Sequence, residues 1–126
     1  MSNTIRVTVV LENAGDEVAV EAGLMADIRR VEAEGVIDMG DNRPAPLSVP
    51  EDLVGQLGLR EKMGLWGGRR CAGPLAAWIG GRRTFGDCLV VPAGRPVRVG
   101  NTALRLLDLV PEPVTGTLRP GPGIRV

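Results

Sequence analysis

The sequence predicts a single, mainly β domain that spans residues 1–126 and has a barrel-like form with two short helices. Three observations indicate this fold. Short runs rich in β-branched residues recur along the chain, and glycine pairs separate several of them. Only two stretches combine a helix-starting pattern with apolar residues at helical spacing. A chain of this length is long enough to enclose its own hydrophobic core.

The first third of the chain predicts two strands. Residues 5–11 (IRVTVVL) are dominated by β-branched side chains, and the segment NAGD at residues 13–16 ends that run. Residues 28–37 form the second predicted strand because apolar and acidic residues alternate there, and this strand leads into Asp38. The intervening residues 17–28 are ambiguous: they fit a strand end and loop, or a short helical turn.

The two predicted helices lie in the middle and near the end of the chain. Ser48 and Glu51 form a capping-box pattern at the start of the first helix, and Gly58 is suited to its end. Asn101 is the predicted N-cap of the second helix. The apolar residues expected to face the core are Leu53, Val54 and Leu57 in the first helix, and Ala103, Leu104 and Leu107 in the second.

The remaining residues predict hairpins and short strands. Two glycines follow Trp66 in the segment WGG at residues 66–68, and two more are Gly80 and Gly81. They permit the tight turns of two successive hairpins between residues 61 and 89. Residues 89–92 and 96–100 are short apolar strands, and residues 114–117 (VTGT) are the turn of a last hairpin. We expect the ends, residues 1–4 and 120–126, to be mobile or to form an interface.

Composition restricts the possible functions. The 15 basic and 15 acidic residues balance, which argues against a protein that mainly binds nucleic acid or an anionic membrane. The sequence has no histidine, and this excludes Ser-His and Cys-His nucleophile systems and the usual zinc ligand sets. No signal peptide or bilayer-spanning apolar run is present in the sequence, so we expect a cytoplasmic protein. Cys71 and Cys88 are then expected to be buried thiols, although they could pair if their strands are adjacent.

Three segments in order carry a resemblance to a known family. They are VEAEGVIDMGDN, LSVPEDLVGQLGL and PVRVGNTALRLLDLVPEPVTGTLRP, and together they cover most of residues 28–120. The chain resembles the retropepsin-like aspartic peptidases, the single-domain family of retroviral proteases and their bacterial relatives. The first segment is similar to the family's strand leading into Asp-Thr/Ser-Gly, the second to its Leu-Gly-Leu segment, and the third to its C-terminal helix and hairpin.

The resemblance implies a closed, acid-protease-like β barrel that forms a homodimer. Asp38 from each copy would form the catalytic dyad, and the backbone of Gly40 would help to hold it. An extended peptide or protein substrate would bind beneath a flap whose tip is Trp66, Gly67 and Gly68. An ordinary core or surface role for Trp66 is equally compatible with the sequence. No metal and no organic cofactor is implied.

Two residues depart from the family pattern. Met39 replaces the threonine or serine whose hydroxyl bonds across the dimer axis, and Asp41 replaces alanine or serine. These changes leave three hypotheses: a working peptidase, a weak or inactive dimer that binds peptides or acts as a scaffold, and an unrelated β protein in which Asp38 caps a turn. Asp41 is either a solvated loop charge or a substrate contact. Asn42 either binds a substrate backbone or stabilises the turn.

Overall fold

The computed structural model describes residues 4–43, 45–63 and 68–123. Within these ranges the chain forms nine strands and three short helices. Their bounds, in chain order, are β1 Arg6–Asn13, α1 Ala14–Glu21, β2 Arg30–Asp38, β3 Leu47–Pro50, α2 Glu51–Leu57, β4 Arg60–Met63, β5 Arg70–Ile79, β6 Arg82–Val91, β7 Val97–Gly100, α3 Asn101–Leu107, β8 Leu109–Glu112 and β9 Thr117–Pro120. The predicted mainly β architecture is confirmed.

Six of the strands close a barrel. Their order is β1-β2-β7-β3-β6-β5, and β5 pairs with β1 to complete the ring. The pairs β2–β7 and β3–β6 are parallel, and the other pairs of the ring are antiparallel. β4 pairs with β5 outside the ring, and β8 pairs with β9 as a separate hairpin. Closure satisfies the backbone groups that an open sheet would leave at its edges.

The hydrophobic core fills the interior of the barrel. It extends to the buried faces of α2 and α3, which pack against the barrel. Each buried leucine or valine stabilises the fold by roughly 2 kcal/mol through removal of apolar surface from water. The predicted core faces of both helices are confirmed, with Leu53 only partly buried. The largest side chains that are fully buried are Val9, Leu11, Leu47, Val49, Leu57, Ile79, Cys88, Val97 and Val99.

The parallel pairing of β2 with β7 determines which side chains meet outside the core. In this register Ile37 lies opposite Val99, and Asp38 lies opposite Gly100. Ile37 and Val99 are buried, so their neighbours Asp38 and Arg98 point to the other face of the sheet. The sequence-predicted carboxylate therefore lies at the end of β2 and outside the barrel core.

The prediction of two helices is wrong, because a third helix covers residues 14–21, which include the first part of the ambiguous segment. α1 begins after Asn13, whose side chain accepts a hydrogen bond from the N–H of Asp16 at 3.1 Å. Val18 in this helix is 67% exposed. The helix thus has a local cap but no apolar stripe at helical spacing, which is why the sequence pattern did not distinguish it from a loop.

Both predicted side-chain N-caps are also wrong. Residues 47–50 form β3, so α2 begins two residues later than predicted, with Pro50 at its N-cap position and no side-chain cap. Ser48 is buried and accepts a hydrogen bond from Arg43 instead. Gly100 occupies the N-cap position of α3, and the side chain of Asn101 bonds to the loop after β2. The predicted stop at Gly58 is confirmed, because this residue has φ 63°.

Two of the three predicted hairpin turns lie among the described residues, and both are confirmed. β5 and β6 are joined through Gly80 and Gly81, with φ of 57° and 76°, which fits the positive φ of a tight hairpin turn. The β8–β9 hairpin turns through residues 113–116. The remaining predicted hairpin turns at residues 66–68. β4 and β5 pair as this hairpin requires, but most of its predicted tip, Trp66 and Gly67, lies outside the described residues.

The chain ends were predicted to be mobile or interface-forming, and the described part of the C-terminal tail is bonded to the domain. Asp108 accepts hydrogen bonds from the N–H groups of Gly121 and Gly123, at its carbonyl and its carboxylate respectively, both at 2.8 Å. A Cβ at residue 121 would lie 2.1 Å from Oδ1 of Asp108, so any other residue there would require the Asp108 side chain to move. The tail is held through residue 123.

The prediction of buried thiols is confirmed. Cys71 and Cys88 lie on the paired strands β5 and β6, both are buried, and neither forms a disulfide. Burial raises the pKa of the Cys88 thiol to about 12 and also raises that of Cys71. Neither sulfur is therefore a reactive thiolate near neutral pH.

Candidate functional site

Asp38 lies at the point where β2 ends and a loop of residues 39–46 begins. One carboxylate oxygen, Oδ1, accepts a hydrogen bond from the N–H of Gly40 at 3.0 Å, and the Asp38 carbonyl accepts one from the N–H of Asp41 at 3.2 Å. The side chain is 38% exposed. The turn therefore orients one oxygen of the carboxylate and leaves the group accessible to a ligand.

Arg98 of β7 provides a positive charge beside this carboxylate. Its Nε lies 3.6 Å from Oδ2 of Asp38, which is an ion pair but too long for a good hydrogen bond. Sequence reasoning missed Arg98. The only available signal was its position two residues before Gly100, and that signal has meaning only once the register of β2 and β7 is known.

Asp41 is not the solvated loop charge that was one of its two sequence-based interpretations. Its side chain is 8% exposed and accepts hydrogen bonds from Nε and NH2 of Arg43, at 2.9 and 2.6 Å. These bonds lower the pKa of Asp41, because they outweigh the opposing effect of burial. The negative charge of Asp41 is therefore balanced within the loop, since Arg43 supplies the opposite charge.

Arg43 also connects the loop to the elements around it. Its NH2 group donates to Oγ of Ser48 in β3 at 3.1 Å, and its carbonyl accepts a hydrogen bond from Oγ1 of Thr102 in α3 at 2.8 Å. The two carboxylate bonds and these two contacts tie the loop to one strand and one helix. This network is a rigid support for the Asp38 turn.

Asn101 closes the loop from the other side. Its side-chain amide donates to the carbonyl of Met39 and to Oδ1 of Asn42, the latter at 3.0 Å, and its backbone N–H donates to the carbonyl of Asp41 at 2.9 Å. Asn42 thus has the turn-stabilising contact that was one of its two sequence-based interpretations. Met39 presents a side chain that is 46% exposed, at the position where the family pattern has a hydroxyl.

The predicted flap is not brought to Asp38 by any described contact. Gly68 has φ 75° and is exposed, while Trp66 and Gly67 lie outside the described residues. The structure thus groups the loop residues predicted from the sequence, Met39 to Asn42, around Asp38. It adds a second group that sequence reasoning did not include: Arg43, Ser48, Arg98, Asn101 and Thr102.

A cavity of about 320 Å³ adjoins this site. Arg98 belongs to both, since its guanidinium contacts Asp38 and its side chain also lines the cavity. The lining residues are Arg43, Ser48, Val91, Gly94, Arg95, Pro96 and Arg98. We refer to this space as the arginine cavity.

The described residues offer neither a metal-binding cluster nor a membrane-spanning helix. They contain no group of three or more His, Cys, Asp or Glu side chains placed to hold a metal ion. In the same part of the chain, no helix has the length and apolar character needed to cross a bilayer.

Comparisons with known proteins assign no family to this chain. No protein-family model matches the sequence, and a search of curated proteins finds no significant match.

Proposed function

We propose that the protein is a homodimeric aspartic endopeptidase of the retropepsin-like type, with one Asp38 from each copy in a shared dyad. The observation that supports this most is the placement of Asp38. Its carboxylate is accessible at the end of the parallel strand pair β2–β7, and the N–H of Gly40 orients one of its oxygens. A network of hydrogen bonds holds the loop on both sides.

The chemistry requires two carboxylates and one chain supplies one. In an aspartic dyad one carboxylate activates water while its protonated partner donates to the peptide carbonyl, and proximity of the two keeps a single proton between them. Asp41, the other acidic residue of the loop, is engaged by Arg43 and is therefore not free to act as the partner. A second copy related by a two-fold axis would bring the missing Asp38.

The substrate in this proposal is an extended peptide. It would pair as an additional strand, with backbone hydrogen bonds supplying most of the affinity. The hairpin of β4 and β5 would cover it, with Trp66, Gly67 and Gly68 at the tip. Two free, buried thiols support a reducing compartment, and we assign the protein to the cytoplasm.

Met39 favours a second candidate function. A dimer of this kind with no hydroxyl next to Asp38 would lack the bond that joins the two catalytic loops, and the exposed thioether of Met39 cannot donate one. The second candidate is a dimer of the same fold that binds peptides or acts as a scaffold, with weak or no hydrolysis.

A cleavage assay separates the two functions. The protein is incubated with an unfolded protein substrate across about pH 4 to 7, a range that includes the usual working pH of carboxylate dyads. The enzyme hypothesis predicts cleavage that Asp38→Asn abolishes. Asp27→Asn is the matched control, because Asp27 is exposed and has no hydrogen bond or ion pair with the described residues. Absence of cleavage at every pH, or equal cleavage by Asp38→Asn, would contradict the enzyme hypothesis.

Sedimentation equilibrium tests the dimer directly. A two-fold dyad predicts a dimer at the concentrations where cleavage occurs, and a specific activity that falls on dilution below the dissociation constant. A protein that cleaves equally well as a monomer would contradict the shared dyad.

A further inference from the structure

We propose that the arginine cavity binds the carboxylate of an acidic side chain in the peptide ligand. The inference rests on the proposed function in one respect, which is that a peptide binds over Asp38. The cavity itself, its charge and its donors are properties of the described structure. The expected consequence is a preference for peptides with glutamate at one position near the bond that faces Asp38.

The cavity has one positive charge in excess. Three of its lining residues are arginines, and none of the described residues that line it is acidic. Arg43 is paired with Asp41, and Arg98 is paired with Asp38. Arg95 has no ion pair with any described residue and is exposed. A carboxylate entering the cavity would therefore meet an unpaired guanidinium.

The acidic groups on the other side of Arg95 do not neutralise it. Arg95 also lines a second cavity of about 510 Å³, in which Glu34 and Asp52 lie. Glu34 is paired with Arg6 at 2.5 Å, and Asp52 makes no ion pair with Arg95. The positive charge of Arg95 consequently remains available to the arginine cavity.

Ser48 supplies a second, uncharged donor. It is 3% exposed, and its oxygen already accepts a hydrogen bond from Arg43 at 3.1 Å. The hydroxyl hydrogen has no acceptor among the described residues. Because Ser48 lines the cavity, a carboxylate there could accept this hydrogen as well as hydrogen bonds from the arginines.

Size and position also fit an acidic side chain. A volume of about 320 Å³ lies at the lower end of small-molecule pockets and is ample for a glutamate side chain. Arg98 connects the cavity to Asp38 on the same face of the sheet. Since alternate side chains of an extended peptide point in the same direction, a peptide lying over Asp38 would direct one side chain in every two towards this face.

The test is a binding measurement that needs no cleavage. Two short peptides with blocked ends, identical except for glutamate or glutamine at one position, are titrated onto the wild-type dimer, and the position is moved along the peptide in successive pairs. A third peptide carries no acidic side chain but has a free C-terminal carboxylate. Mass spectrometry after each titration shows whether the peptides remain intact.

Two variants assign the preference to the cavity. Arg95→Gln removes the excess charge from an exposed loop position, where a change of side chain leaves the core intact. Arg60→Gln is the matched control, because Arg60 is exposed on β4, outside the barrel ring, and has no ion pair with the described residues. We expect the wild type and Arg60→Gln to bind the best glutamate peptide about ten-fold more tightly than its glutamine partner, and Arg95→Gln to lose most of this difference.

Each alternative result overturns the inference. These results are equal affinity for glutamate and glutamine at every position, a preference that survives Arg95→Gln, no binding of any peptide, or binding of the free C-terminal carboxylate in place of the side chain. The outcome is separate from the proposed hydrolysis. A glutamate preference without cleavage would contradict the enzyme hypothesis and support the assignment of the cavity. Cleavage without the preference would support the enzyme hypothesis and contradict the assignment of the cavity.

Discussion

Arg43 holds the carboxylate of Asp41 through two hydrogen bonds, from Nε at 2.9 Å and from NH2 at 2.6 Å. Because these residues are two positions apart in the same loop, the pair closes the loop on itself immediately after the turn at Asp38. The loop is therefore shaped by a charge pair where the sequence pattern alone indicated an exposed acidic residue.

We expect Asp41→Asn to lower the free energy of unfolding by about 2 kcal/mol, because it removes the charge from a mostly buried, hydrogen-bonded pair and leaves Arg43 without its anion. Urea denaturation at neutral pH measures the change. Glu34→Gln is the matched control, since the Arg6–Glu34 pair is 65% and 60% exposed, and we expect it to cost at most about 1 kcal/mol. Equal effects of the two substitutions would contradict the structural role of the Asp41–Arg43 pair.

The free energy of unfolding should decrease as the pH is lowered below about 4. Hydrogen bonds from Arg29 and Arg43 lower the pKa values of Asp16 and Asp41 in the folded state, relative to an unfolded carboxyl near 3.8. The unfolded chain then binds protons first as the pH falls, so the stabilisation is complete above the unfolded pKa and is lost as the pH falls through the folded values.

Urea denaturation at a series of acidic pH values tests this dependence. The slope of stability against pH should be reduced in Asp16→Asn, which has no carboxyl to protonate at this position. Asp27→Asn provides the comparison at an exposed position. A slope of the same size in Asp16→Asn and in the wild type would show that the Asp16–Arg29 pair does not contribute to acid sensitivity.

Gly100→Ala should destabilise the protein, by about 1–3 kcal/mol, through crowding against the Asp38 loop. A Cβ at residue 100 would lie 3.0 Å from the carbonyl oxygen of Asp41 and 3.3 Å from its Cγ. Gly55 lies in α2, and such a Cβ there would have no atom within 4 Å apart from its chain neighbours and the backbone of its own helix, so Gly55→Ala should instead stabilise by about 0.5–1 kcal/mol. Thermal unfolding of both variants measures the contrast, and two changes of the same sign would be evidence against the tight packing at Gly100.

Met39→Thr should raise the rate of hydrolysis if the protein is a weakened peptidase. Met39 lies beside Asp38, is 46% exposed, and has no donor group. Threonine restores a hydroxyl that can bond across a two-fold axis, and a bond of this kind contributes about 1 kcal/mol for each copy, so the two copies together contribute about 2 kcal/mol, or roughly 30-fold in dimer affinity. Cleavage and dimer dissociation are measured together. Met39→Val is the control of similar shape without the hydroxyl, and equal activity of the two variants would contradict this account.

The sequence predicted most of the strands and turns, because each depends on local features. Alternation of apolar residues marked β2, and the glycine pair at residues 80–81 marked the turn between β5 and β6. The prediction from local sequence was wrong where strand pairing prevailed over a helix-capping pattern. Ser48 has the pattern of a helix cap, but pairing of β3 with β6 and β7 extends the strand to Pro50.

The site was predicted only in part, for a similar reason. The loop residues 39–42 follow Asp38 in the sequence and could be identified from the motif. Arg98 and Asn101 reach the same place only because β7 pairs in parallel with β2, and no local pattern indicates that pairing. Asp41 and Arg43 are two positions apart in the sequence, but that spacing alone does not distinguish a buried pair from two solvated charges.

The parallel pairing of β2 with β7 also has a consequence for biosynthesis. β2 has emerged from the ribosome long before β7 is translated, and the ring cannot close until β7 fills the gap between β2 and β3. Ring closure thus waits for the last third of the chain, and contacts this distant in sequence are slow to form. Newly made chains therefore expose the unpaired edge of β2 during elongation, which is the interval in which a chaperone would have most effect on yield.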